Sequence, residues 1–275
     1  MGDNNLHTGK YSLLIKKIRR KRSWAAALAA ISAILVLFFS CSTRIVLPEK
    51  TVWDYPGLHP AVTIVLLILI YLAYIMAYCI ISIPLNTSLN TECDPQKYLA
   101  LNTTLGNRNQ TIPACASGYL YAGDFTRAMM FAEQLIFSGK QKQIIFGFFY
   151  KARCEFQLGD VDALKVTVQQ FETALSTNKR ANTKTRMVYQ KLHNILLLLC
   201  ALSDKDTEKI DTYRKLVQPW SPSKATEGYV NYLRGIAAFY VGDTHESIYR
   251  LTAVKDHCGK TVFSKLADTY LVQLN

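Results

Sequence analysis

Residues 118–128 read GYLYAGDFTRA, and the Gly123-Asp124 pair inside this stretch returns in related form three more times. Gly159-Asp160, Lys205-Asp206 and Gly242-Asp243 follow it at intervals of 36, 46 and 37 residues. A glycine can end a helix in the left-handed conformation, and an aspartate after it can cap the next helix by accepting from its free backbone amides. Each pair therefore predicts a corner between two helices.

Apolar residues keep the same register on both sides of these corners. Large apolar residues stand three positions before each corner, at Leu120, Phe156, Leu202 and Phe239, and mostly small ones stand seven positions before, at Ala116, Ala152, Leu198 and Gly235. After the corners, apolar residues recur at helical intervals: Ala128, Phe131 and Leu135; Leu164, Val168, Phe171 and Leu175; Ile210, Tyr213 and Val217; Ile248, Leu251 and Val254. This spacing places them on one stripe of each helix. We expect an all-α tail of about four helical hairpins.

The first corner resembles the tetratricopeptide repeat, which has an aromatic residue, a Gly-Asp-aromatic corner and a small residue downstream, here Ala128. The resemblance covers residues 113–274 and implies an α-solenoid built from units of about 34 residues. The chain departs from the family because no tryptophan opens a helix, and Leu164 and Ile210 replace the small residue. A generic array of helical hairpins is the alternative interpretation.

Two uncharged apolar runs precede this tail, at residues 23–43 and 61–85. Runs of about 20 apolar residues match the hydrocarbon thickness that a helix must span, so both runs predict transmembrane helices. The full prediction is a basic N-terminus at 1–22, a first span at 23–43, an external loop at 44–60, a second span at 61–85, a linker with a short helix at 86–112, and a helical domain at 113–275.

Charge predicts the orientation of the spans. Seven basic residues and one acidic residue precede the first span, whereas two basic and two acidic residues stand in the loop at 44–60. A basic cluster beside an apolar helix is retained in the cytoplasm. We therefore expect both ends of the chain to be cytoplasmic, in an integral membrane protein with two spans. Residues 38–41, FFSC, also resemble a lipoprotein cleavage box, so cleavage of the first apolar segment stays an open alternative.

The net charge of +12 does not by itself indicate nucleic-acid binding. Half of the excess lies in the N-terminal tract, and the remainder is spread along the tail without the dense basic face that such binding uses. Attraction of the N-terminal tract to anionic lipid headgroups is the better interpretation. The seven cysteines show no paired spacing and are expected to be small core residues.

The sequence contains no familiar catalytic or cofactor motif. His245-Glu246 begins like a metalloprotease helix, but Tyr249 stands where the second imidazole belongs. His193 lies in an apolar segment and is expected to be a core or groove residue. We therefore expect no enzymatic activity, no cofactor and no metal.

The favoured function is a membrane-anchored scaffold that binds a segment of a partner protein in the groove of the array. In tetratricopeptide grooves the first helix of each hairpin supplies most contacts, and the resemblance thereby implies Tyr121, Phe149, Arg153, Gln157, Tyr232 and Tyr240 as partner-binding residues. For Phe149 and Tyr232 a core position is the alternative, and for Arg153 and Gln157 it is the outer surface. The competing function is an accessory subunit of a membrane transport, protease or secretion complex, bound through the two spans.

Overall fold

The computed structural model describes residues 4–41, 43–46, 52–55, 58–106, 108–178 and 181–274, of which 4–8, 43–46, 52–55 and 108–109 are described by their backbone only. The described chain is all-α apart from two four-residue strands, which confirms the predicted class. It divides into two compact units. One comprises residues 9–84, and the other contains the chain from Leu85 onward.

The first unit is a helical hairpin with a small strand pair at its tip. Its elements are α1 (Asn4–Ser40), β1 (Thr43–Val46), β2 (Val52–Tyr55) and α2 (Pro60–Asn90), and the two strands pair antiparallel. The strands occupy part of the segment that the sequence predicts as a loop. Two segments, Gly9–Ser40 and Pro60–Asn90, are long and apolar enough to cross a membrane. The first begins earlier than the predicted span 23–43, because α1 includes most of the basic tract, and it ends before that span does. The second extends beyond the predicted span 61–85 at both ends.

Contacts near both ends show that α1 and α2 run antiparallel. Arg22 donates from Nη2 to Ser82 Oγ at 2.8 Å, and its guanidinium lies 4.6 Å from the Tyr78 ring centre. At the other end the Ser40 and Thr63 hydroxyls share a hydrogen bond of 2.7 Å. Apolar side chains between these contacts remain exposed on both helices. Such a surface is stable in an apolar environment.

The second unit is an array of helices stacked in chain order. Its helices after α2 are α3 (Pro95–Leu105), α4 (Arg108–Ala122), α5 (Phe125–Ile136), α6 (Gln141–Leu158), α7 (Val161–Thr177), α8 (Thr183–Asp204), α9 (Thr207–Leu216), α10 (Lys224–Tyr240), α11 (Thr244–Cys258) and α12 (Val262–Leu274). The pairs α4–α5, α6–α7, α8–α9 and α10–α11 form four hairpins, each turning at a predicted corner. The number of hairpins matches the expectation, and α12 is an additional helix.

All four corners have the predicted geometry. The closing residues have left-handed φ values of 89° at Gly123, 75° at Gly159, 54° at Lys205 and 80° at Gly242. The aspartate after each accepts from the backbone amide three residues onward, at 3.0 to 3.2 Å. Capping of this kind stabilises a helix by about 1 kcal/mol, so the Gly-Asp pairs both end one helix and start the next.

In the last hairpin, one residue of the predicted apolar stripe on α11 faces outward instead of inward. Ile248 is expected to face inward, but it is 38% exposed, and the neighbouring Ser247 is fully buried. The Ser247 hydroxyl donates to the Gly235 carbonyl at 2.9 Å. A Cβ on Gly235 would lie only 2.7 Å from the Leu251 side chain. The inward face of α11 is therefore set by close approach to α10, which leaves room for serine but not for isoleucine.

The segment predicted as a linker is packed into the second unit. Asp94 caps α3 through the Lys97 amide at 2.9 Å, as expected. However, α2 continues to Asn90, and Leu89 and Cys93 are buried in the core of this unit. The Asn102 amide also donates to the Leu85 carbonyl at 3.1 Å. The described residues of the segment 86–112 are thus part of the helical domain, because α3 packs against α4 and is bonded to the end of α2.

The final helix brings the two ends of the array together. It packs against α11 and α10, and it also contacts α4, the first helix of the first hairpin. An open solenoid has no such contact between its first and last hairpins, since each repeat touches only its neighbours. In this array α12 therefore covers a face to which α4, α10 and α11 contribute.

Candidate functional site

The six residues predicted to bind a partner fall into two groups. Tyr121, Phe149, Arg153 and Tyr232 are buried, each at most 3% exposed, whereas Gln157 and Tyr240 are half-buried. The core alternative for Phe149 and Tyr232 agrees with their burial. The outer-surface alternative for Arg153 is wrong, because its side chain is fully enclosed.

Arg153 lies at the centre of an aromatic cluster, which we call the arginine cage. Its guanidinium carbon lies 3.6 Å from the ring centre of Tyr229, and the other rings of the cage lie 5.2 to 5.9 Å away. The cage consists of Tyr121 on α4, Phe149 on α6, Trp220 in the loop before α10, Tyr229 on α10 and Phe263 on α12. A cation over an aromatic face is attracted to the ring quadrupole, by about 2 kcal/mol when water is excluded.

The guanidinium has no well-aligned hydrogen bond within the described residues, at any of its three nitrogens. Burial acts to lower the pKa of Arg153, but interaction with the Tyr229 and Tyr121 hydroxyls outweighs it and places the pKa above its ordinary value. Burial raises the pKa of both tyrosines, so they stay neutral. Arg153 therefore stays positively charged. Aromatic rings and neutral hydroxyls offset the cost of burying that charge.

Phe263 of α12 connects the cage to the predicted groove residues. Its ring centre lies 5.4 Å from Tyr121, 4.8 Å from Tyr229 and 5.3 Å from Tyr232. The Tyr121 hydroxyl donates to the Ala225 carbonyl at 3.2 Å, which ties α4 to the start of α10. Two of the predicted partner contacts, Tyr121 and Tyr232, thus meet a helix of the same chain.

Sequence reasoning missed Trp220, Tyr229 and Phe263. Trp220 stands between Pro219 and Pro222 and reads as part of a break between hairpins. It nevertheless packs edge-on against Phe149, with ring centres 5.1 Å apart. A large aromatic side chain in a short loop is a signal for such an insertion, but the sequence does not show which helices receive it.

The half-buried predicted residues lie at the edge of the covered face, which we call the rim. Gln157 interacts with the Tyr232 hydroxyl, and Tyr240 interacts with Tyr270 of α12. Burial raises the pKa of Tyr270 to about 12, so its hydroxyl stays a neutral donor or acceptor. Polar groups at the border of an aromatic surface suit directed contacts with a partner.

A second polar cluster lies between the third and fourth hairpins. A depression of about 230 Å³ is lined by Arg214, Lys215, Arg234, Asp243 and Glu246. Arg214 forms an ion pair with Asp243 at 3.0 Å, and Arg234 donates to the Arg214 carbonyl at 3.1 Å. These contacts connect α9 and α10 to the corner before α11, which gives the cluster a structural role.

The structure also pairs two cysteines that the sequence does not pair. The Sγ atoms of Cys93 and Cys258 lie 3.1 Å apart, and both residues are buried. The hydrogen bond from Cys258 lowers the pKa of Cys93, with further contributions from Lys224 and Lys260. Both cysteines are free and buried, as expected of core residues, and the turn before α3 places Cys93 against the end of α11.

Among the described residues, no cluster of three or more His, Cys, Asp and Glu that could hold a metal occurs. His193 is half-buried and bonds through Nε2 to Glu172 Oε1 at 2.8 Å, and its ring stacks on Phe171. The imidazole thus bridges α8 and α7 at the edge of the core.

Comparison of the chain with protein-family models, with curated proteins and with solved structures gave no match.

Proposed function

We propose that this chain is a membrane-anchored scaffold whose tetratricopeptide-like domain binds a helical segment of a partner protein. The observation that carries the proposal is the packing of α12 against α4, α10 and α11. Phe263 of α12 contacts Tyr121 of α4, Arg153 of α6 and Tyr229 of α10, and these three helices are first helices of hairpins. A face that holds one amphipathic helix through aromatic side chains has the chemistry of a helix-binding groove.

The partner segment is proposed to bind at the rim beside α12. Four of the six predicted partner contacts are buried, so they support the surface beside α12 from the core side. Gln157 and Tyr240 are the predicted residues that retain exposed surface, and Tyr270 extends the same border. Tyrosine side chains give large contact areas at low entropic cost, which favours them at interface centres.

The experiment first identifies the partner by cross-linking and affinity capture of the full chain from its native membrane. Binding is then measured for the double variant Gln157→Ala with Tyr240→Ala. We expect affinity to fall by about 1 to 3 kcal/mol with unchanged helical content, because rim contacts are lost while the core is kept.

A matched control replaces the same residue types on second helices. Gln134 of α5 and Tyr249 of α11 are exposed, and their double alanine variant should bind as the wild type does. Equal affinity of the rim variant and the wild type would remove the support for the rim.

The second candidate function is an accessory subunit that binds a membrane complex through its spans. Tyr71 favours it, because this polar aromatic residue is 63% exposed on α2 and could contact a neighbouring helix. Exchange of residues 9–84 for an unrelated two-span hairpin discriminates the two functions. Partner capture that survives the exchange supports the scaffold, and capture that is lost supports the accessory subunit.

Both functions include a proposed topology in which the two ends of the chain are cytoplasmic. The support is the basic tract of α1 and the balanced charge of residues 44–60. A reporter that is active only outside the cytoplasm, fused after the last residue, should therefore stay inactive. The same reporter inserted between Val46 and Val52 should be active, and the reverse pattern would refute the topology.

A further inference from the structure

A groove with an unusual distribution of charge lies along the N-terminal part of α1. It has a volume of about 800 Å³. Along α1 its lining begins with Leu13, continues with the cations Lys16, Lys17, Arg20 and Lys21, and ends with Trp24, Ala25 and Leu28. Ile81 of α2 borders it from the side. The groove, which we call the basic groove, lies entirely within the unit of residues 9–84.

Helical spacing explains how these side chains come together. Lys17, Arg20, Trp24 and Leu28 are separated by three or four residues, so they form one stripe along α1. Along this stripe the side chains change from cationic to aromatic to aliphatic. Tryptophan is enriched at the level of lipid headgroups, with cations above it and aliphatic residues below.

The cations of the basic groove have no acidic partner within the part of the chain that the structure describes. Residues 9–44 contain no aspartate or glutamate. Within the described chain none of Lys16, Lys17, Arg20 and Lys21 takes part in an ion pair. Four neighbouring cations repel one another, and an anionic ligand relieves that repulsion.

A second groove shares three of these residues. It has a volume of about 470 Å³ and is lined by Lys16, Arg19, Arg20, Ser23, Trp24 and Ala27. Lys16, Arg20 and Trp24 therefore stand between two concave surfaces. A ligand held by these three residues can place anionic groups on either side of them.

We propose that the basic groove binds an anionic phospholipid whose headgroup carries two or more phosphate groups. This inference rests on the membrane anchoring that is part of the proposed function. Four cations exceed the single charge of a phosphodiester, so a polyphosphorylated headgroup matches them better. Trp24 packs beside the glycerol region, and Leu28 and Ile81 contact the acyl chains. The apolar end of the groove thereby selects a lipid over a free phosphate compound.

The test uses the full chain in neutral detergent micelles, with lipid binding followed by native mass spectrometry. The probes are phosphatidylinositol 4,5-bisphosphate, phosphatidylserine and soluble inositol 1,4,5-trisphosphate. We expect the bisphosphorylated lipid to bind at least about tenfold more tightly than either other probe. Lys16→Gln with Arg20→Gln should weaken that binding by about twentyfold to thirtyfold, since each basic residue contributes about fivefold.

Two controls make the result specific. Lys140 and Lys142 are exposed in the helical domain. The variant Lys140→Gln with Lys142→Gln removes two positive charges, as the groove variant does, and should leave lipid binding unchanged. Trp24→Ala should weaken binding of the bisphosphorylated lipid but not binding of the soluble trisphosphate. Equal binding of phosphatidylserine, or equal binding of the soluble trisphosphate, would overturn the proposed lipid site.

Failure of this inference can be separated from failure of the proposed anchoring. Resistance of the wild-type chain to extraction from membranes at alkaline pH reports anchoring alone. A chain that resists extraction but shows no preference for the bisphosphorylated lipid refutes the basic groove only. A chain that is extracted refutes the anchoring itself.

Discussion

Arg153→Ala is expected to lower the free energy of unfolding of the helical domain by about 3 to 5 kcal/mol. The substitution empties the centre of the arginine cage, where five aromatic rings surround the guanidinium and no water-facing surface remains. The rings lose both their packing and their cation–π attraction. Urea unfolding of the full chain in detergent micelles, followed by circular dichroism, measures the change.

Two further variants separate packing from charge. Arg153→Met keeps an unbranched apolar side chain and removes a buried cation, so we expect a cost below about 1.5 kcal/mol or a gain in stability. Arg153→Lys keeps the charge but loses the planar stacking on Tyr229, and it should be less stable than the methionine variant. A methionine variant as unstable as the alanine variant would show that the cation itself holds the cage together.

Gly123→Val is expected to destabilise the domain by about 3 to 5 kcal/mol, more than Gly242→Val at about 1 to 3 kcal/mol. Both glycines have left-handed φ values, which a β-branched residue tolerates poorly. A Cβ on Gly123 would also lie 2.8 Å from Val262 at the start of α12, whereas a Cβ on Gly242 meets no atom within 4 Å. The same unfolding measurement compares the two variants.

Lys205 provides a control of opposite sign at the equivalent corner. It holds φ at 54° without being glycine. Lys205→Gly should therefore stabilise the domain by about 0.5 to 1 kcal/mol, since a left-handed conformation costs less for glycine.

Equal destabilisation by the two valine variants would contradict the contact between the first corner and α12.

Local signals predicted the hairpins well. Glycine conformation, aspartate capping and helical periodicity each act within a few residues, so Gly123-Asp124 and its three counterparts could be recognised without tertiary information. The same holds for the short helix after Asp94 and for the break around Pro219 and Pro222. Length and apolarity likewise identified two helices that can cross a membrane.

Errors arose where burial depends on distant residues. Arg153 reads as a groove or surface residue because a cation in an apolar helix normally faces water or a ligand. It is buried because Trp220 in the loop before α10 and Phe263 on α12 both reach it. Ile248 faces outward because Gly235 lets α10 approach α11 so closely that only Ser247 fits between them.

The sequence by itself determined the all-α class, the four corners and the two apolar helices, because each depends on interactions between residues close together in the chain. The tertiary structure alone decided which face of the array α12 covers. It places α12 against α4, buries four of the six predicted partner contacts and brings Cys93 to Cys258. Such contacts depend on the total rotation that accumulates from one hairpin to the next along the array. Local sequence patterns do not reveal that total rotation.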